Sequence, residues 1–288
     1  MTAILRREVS GYFKGVLGYL FAAFMLVFNG IYTMAYNLSG AYANYEYVLD
    51  SISFLYIIAV PILSMRSVAE EKRQRTDQLL YSPPIRMSDV IFGKYLAMLA
   101  VLAVPTLIMA LMPVLLSSFG TVGFGPAYGT LIAFFLLGAT LLSIGLFVSC
   151  VTESQVAAAV ISLLALLVMY FFSSLASFVP TDGFSSFVAL CVIVLLFAFA
   201  VQALARNALL SGVVAVAGVG GLYLWYQADA SAFSGLFGDI MEKLSVFDRF
   251  YTFVDGVFDV TAIVYFISII AVFLFLSVQA LEKRRWSE

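Results

Sequence analysis

"YLAMLAVLAVPTLIMALMPVLLSSFGTVGFGPAYGTLIAFFLLGATLLSIGLFVSCVT" runs from Tyr95 to Thr152 without one Asp, Glu, Lys or Arg. About 20 apolar residues suffice for a helix to cross the hydrocarbon core of a bilayer, so this run holds two crossings. It divides at "SSFGTVGFGP" (Ser117–Pro126), where glycine and proline cluster as they do in turns. Helix is the expected form. Lipid offers no partner to a backbone N–H or C=O, and the run lacks the period-two alternation of a barrel strand.

Outward from this run lie further stretches free of charge: Gly15–Tyr45, Ser51–Met65, Ser154–Thr181, Gly183–Ala205, Asn207–Ala228 and Thr261–Leu281. Only 11% of the residues are charged and 63% are hydrophobic, whereas a soluble domain carries about a quarter charged residues. The expectation is an all-α, polytopic integral membrane protein with eight transmembrane helices. These are a six-helix core plus an extra pair, helices 6 and 7, joined at Arg206-Asn207. Residues 1–288 form a single transmembrane domain. Helix 2, about Val48–Met65, is short and is interrupted by Pro61, whose missing N–H removes a helical hydrogen bond.

Charge sets the orientation. With the N-terminus inside, every one of the 15 basic residues except Lys243 and Arg249 lies on the cytoplasmic side. That is a strong positive-inside bias. Both termini are then cytoplasmic.

Three polar segments remain. Residues 1–15 place Leu5, Val9, Tyr12 and Phe13 on one helical stripe and Arg6, Arg7 and Lys14 off it. This is the pattern of a helix lying in the membrane interface with its bases toward anionic headgroups. Residues 66–88 form a charged cytoplasmic segment. Residues 229–259 form an outer amphipathic segment, with Phe237, Ile240, Met241, Leu244, Phe247, Tyr251, Val254 and Phe258 at helical spacing.

Catalytic chemistry is poorly provided for. The chain has no histidine, so zincin motifs and Ser-His triads are absent, and its two cysteines are too far apart for a thiolate metal site. Gly93-Lys94 lacks the upstream glycine of a phosphate-binding loop. Asp255 and Asp259, spaced i, i+4, would share a helix face, most simply as a solvated rim. No mid-membrane carboxylate marks an ion-coupled pathway. No catalytic, metal or cofactor site is expected, and no nucleic-acid partner.

The charged segment "EEKRQRTDQLLYSPPIRMSDVIFGKY" (Glu70–Tyr95) reads as a helix from about Ser67 to Tyr81, stopped by Pro83-Pro84. By spacing alone it is either an ordinary positive-inside loop or a rigid docking element. In "EEK…TDQLLYSPPI…DVIFGKYLA" it resembles the signature that follows the second span in ABC-2 type permeases. The stretch "LSVFDRFYTFVDGVFDVTAIVYFISIIAVFLFLSVQALEKRRW" (Leu244–Trp286) resembles the end of the gliding-motility-type branch. Arg75 stands where many relatives have glycine, which favours continuous helix. The resemblance implies an export permease subunit in the cytoplasmic membrane of a bacterium. A separate ABC ATPase subunit would power it. A second permease subunit, in a homo- or heterodimer, and an auxiliary membrane protein with an extracytoplasmic domain would be further partners. It also implies that Glu70, Glu71, Arg75, Thr76, Asp77, Leu79 and Leu80 form a coupling helix seated on the ATPase. A stand-alone secondary transporter and a non-transporting membrane scaffold are the alternatives.

Overall fold

The computed structural model describes residues 2–74, 86–172, 174, 178, 180–205 and 208–287. These fold into helices, with no strand among the described residues. Arg75–Leu80, where most of the expected coupling helix falls, lie outside them. Two compact units form, one of residues 1–170 and 249–288, the other of residues 171–248.

The first unit begins with α1 (Thr2–Lys14) and α2 (Leu17–Tyr32), the latter prolonged by a π-helical turn at Thr33–Ser39. The α1–α2 elbow is tight enough that a Cβ on Gly18 would lie 2.9 Å from the Tyr12 carbonyl. Next come α3 (Glu46–Ser53) and α4 (Tyr56–Ser64), the two halves of predicted helix 2, bent by 59°. The break falls at Phe54-Leu55, nearly two turns before Pro61, so the proline alone does not set it. There the chain tightens: Leu55, Ile57 and Ile58 donate to carbonyls three residues back rather than four.

A short α5 (Ala69–Arg73) follows, then α6 (Met87–Met109), α7 (Met112–Leu116), α8 (Phe124–Val151), α9 (Gln155–Tyr170) and, from the chain's end, α14 (Val260–Ser287). Helix α8 is the core: 78% of its apolar window is buried, and α3, α4, α6, α9 and α14 pack on it. Small residues make this possible. A Cβ on Gly138 would sit 2.8 Å from the Tyr56 ring, and one on Gly145 would collide with Ser64. The two glycines are seven residues apart on one face of α8, giving a groove into which α4 settles. Tyr56 fills it, donating to the Phe134 carbonyl at 3.2 Å with its ring 4.6 Å from that of Phe134.

Among the described residues, four helical stretches are long and apolar enough to cross a membrane: Leu17–Ser39, Met87–Leu116, Phe124–Val151 and Val260–Lys283. Counting the bent α3–α4 pair as one span makes five. Helix α9, at 16 residues, is shorter than a standard crossing.

The second unit is a helical hairpin, α10 (Gly183–Ala205) and α11 (Ala208–Ala228), closed by a 3-10 turn at Ser231–Phe233 and α12 (Leu236–Leu244). Its plug is Phe233, fully buried, with the rings of Phe187, Trp225 and Tyr226 between 5.0 and 6.1 Å away. Asp182 caps α10 by accepting from Ser185 N at 3.0 Å, and Asp229 accepts from Ser231 Oγ at 2.6 Å and from Ser231 N and Ala232 N. These hydrogen bonds hold both carboxyls below the ordinary carboxylate range.

Helix α13 (Val246–Val254) begins afresh after α12, because Ser245 is extended and its hydroxyl accepts from Asp248 N at 3.2 Å. The restart corrects the expected continuous stripe. Phe250 and Phe253 are buried, while Leu244 and Phe258 are exposed.

Candidate functional site

The most organised polar site lies where α1, α5, α6 and the end of α8 converge. Gly93 brings the first pair together, since a Cβ there would meet Ile4 of α1 at 3.0 Å. With α1 so close, the next residue, Lys94, is enclosed to 1% exposure. A buried ammonium is costly unless paired, and this one is surrounded. Its Nζ lies 3.2 Å from Glu8 Oε1 and 2.9 Å from Glu71 Oε2, and donates to the Ser67 carbonyl at 2.6 Å. Arg7 closes the figure: its Nη2 is 2.7 Å from both Glu8 Oε1 and Glu71 Oε1.

Two acids and two bases thus form a closed ring, Arg7–Glu8–Lys94–Glu71, spanning three helices. The hydrogen bond to Glu8 holds Arg7 still more firmly in its charged form. Next to the ring, Tyr12 is buried, donates to the Leu63 carbonyl at 3.2 Å, and has its phenol pKa raised by desolvation. A cleft of about 470 Å³ opens between α1 and α5, lined by members of the ring, Arg66 and Glu70.

Helix α5 is clamped from its other side by α8. Ser149 Oγ accepts from Val68 N and Ala69 N at 3.2 and 3.0 Å, so it caps the start of α5. Lys72 donates to the Cys150 carbonyl. Every described charged side chain from Glu70 to Lys72 is therefore engaged within the chain, Glu70 with Arg66. This arrangement ties α5 to α1, α6 and α8.

Of the residues named from sequence, Glu70, Glu71 and Arg7 are brought together here. Arg6 and Lys14 lie exposed along α1, and Arg75, Thr76, Asp77, Leu79 and Leu80 fall outside the described residues. Sequence reasoning missed Glu8, Arg66, Lys94 and Ser149. The available signal was Gly93-Lys94 itself, a lone base just inside an apolar run.

The predicted Asp255/Asp259 pair does not share a helix. Helix α13 ends at Val254 and Gly256 takes a left-handed φ of 79°, as helix C-termini often do. Asp259 instead caps α14, accepting from Thr261 N at 2.8 Å. Asp255 faces a separate cavity of about 420 Å³ with Asp50, Tyr47, Tyr170 and Tyr251.

Compared with known families, residues 30–285 match the model for ABC-2 family transporter proteins. No curated protein and no solved structure matches the chain.

Proposed function

This chain belongs to the ABC-2 family of transporter proteins, and from that premise we propose that it is the membrane-spanning permease subunit of an ATP-driven exporter. The observation that carries the reading is the ion-pair ring. A segment meant to transmit a push from an ATPase must be rigidly joined to the spans it moves. Here α5 is joined to α1 and α6 through Glu71 and to α8 through Ser149 and Lys72.

In this reading α5 is the membrane-proximal root of the coupling element. Glu70, Glu71, Arg75, Thr76, Asp77, Leu79 and Leu80 make up the element, with the residues beyond Gln74 meeting the ATPase. Glu71 is its internal anchor. The chain crosses eight times with both termini in the cytoplasm of a bacterium, in the order drawn from its charges. It pairs with a second permease, which is consistent with the low burial of the α2 and α14 windows, 33% and 22%. An auxiliary protein of the gliding-motility type is a further partner.

The test is a pull-down of the permease from native membranes, which should recover an ABC ATPase. Leu79→Asp with Leu80→Asp should lose the ATPase from the purified complex while the permease itself stays folded in detergent. An ATPase that stays bound to this variant would overturn the docking assignment. Transport driven by an ion gradient in vesicles lacking the ATPase would overturn the exporter reading.

A further inference from the structure

We infer that α1 is a binding surface for the phosphate headgroup of an anionic phospholipid, and that Arg7 transmits its occupancy to the ion-pair ring. The inference deepens the coupling role just proposed for the ring, and rests on that reading for its consequence but not for the lipid site.

Arg6, Ser10 and Lys14 recur at i, i+4 and i+8, so they line one side of α1. With Arg7 they bound a shallow cleft of about 790 Å³. Arg6 and Lys14 are exposed and make no ion pair among the described residues. Ser10 adds a hydroxyl donor. The positive charge here is uncompensated, unlike that of the neutral ring beside it.

Arg7 borders both clefts. Its side chain is 56% exposed, and it spends only Nη2 on Glu8 and Glu71. Guanidinium carries five N–H donors in a fixed fork, so Nη1 and Nε remain for an acceptor on the other side. A phosphate accepts such a fork in bidentate fashion. Binding there leaves the ring intact and fixes the guanidinium plane from outside, holding α1 against α5 and α6.

Position selects a headgroup over free phosphate. Helix α1 leads through Gly15-Val16 directly into α2, a membrane span by length and composition, so its basic side lies at headgroup depth. Arg6 and Lys14 stand two turns apart, roughly 12 Å along the axis. That spacing suits a layer of headgroups better than one small anion.

The test uses the full-length permease, purified in detergent without its ATPase and titrated with phosphatidylglycerol or phosphatidylcholine, with bound lipid counted by native mass spectrometry. Each base near an anionic surface contributes about 1 kcal/mol, or roughly fivefold in affinity. Arg6→Gln with Lys14→Gln should therefore weaken phosphatidylglycerol binding about 25-fold and leave phosphatidylcholine binding unchanged. Inorganic phosphate should not displace the lipid. Equal retention of the two lipids, or an unaffected double variant, overturns the site.

The relay is read separately. Phosphatidylglycerol should raise the melting temperature of the parent protein most, that of Arg7→Lys less because an ammonium lacks the fork, and that of Arg7→Gln least. Equal stabilisation of all three would overturn the role of Arg7. Because no ATPase is present, failure here is distinct from failure of the coupling assignment, which shows only in co-purification.

Discussion

Both compact units of this chain have apolar interiors, but their polar closures differ. In the first, residues far apart in sequence are joined by charge and by backbone-to-side-chain bonds: Arg7 to Glu71, Glu8 to Lys94, Val68 and Ala69 to Ser149. In the second, the closures are uncharged or local: Asp182 to Ser185, Asp229 to Ser231, Ser234 and Gly235 donating to the Thr181 carbonyl, and the aromatic rings around Phe233. Charge networks enclosed in protein are directional and unforgiving of a lost partner. Ring clusters tolerate small shifts and hold by area and dispersion. The first kind suits an element that must transmit motion, the second one that need only stay folded.

That contrast can be broken at its strongest point. Lys94→Met removes the cation between Glu8 and Glu71 and leaves two part-buried carboxylates sharing Arg7. The expected cost is about 4 kcal/mol, as for other buried pairs stripped of one partner, read as a fall in thermal stability in detergent. Adding Glu71→Gln to it should recover part of the loss, and strict additivity of the two changes would argue against a ring. In the second unit, Phe233→Ala should cost about 3 kcal/mol through the cavity it leaves. Its effect should not change with ionic strength, because no charge is involved. A loss there that varies with salt would dissolve the distinction between the units.

The smallest expected effect sharpens the same comparison through pH. Asp182 and Asp229 sit below the ordinary carboxylate range because they accept hydrogen bonds in the folded state. A depressed folded pKa means that the stabilisation is present above the unfolded value and is lost as pH falls through the folded one. Protection of the Ser185 and Ser231 amides from hydrogen exchange should hold at neutral pH and fade only in acid. Asp182→Asn should flatten that dependence at Ser185 alone.

Much of this architecture was legible residue by residue. Among the described residues, the charge-free runs located every long helix, the Gly/Pro cluster at Ser117–Pro126 marked the turn before α8, and the spacing of residues 1–15 matched the extent of helix α1. The bend in predicted helix 2 was misplaced, because Pro61 is a local signal whereas the packing of Tyr56 against Gly138 is a contact between distant residues. Glu71 was singled out as polar and placed outward. Its enclosure depends on Gly93 admitting α1, which no periodicity within residues 66–88 encodes.

By itself the amino-acid order determined which stretches are helical and apolar enough to enter lipid, because a helix satisfies its backbone within a few residues and each side chain carries its own hydration cost. Only the tertiary structure decided which charges meet. An ion pair between α1, α5 and α6 exists only after those helices pack, and the packing turns on steric allowances such as those at Gly93 and Gly138 that act across the fold.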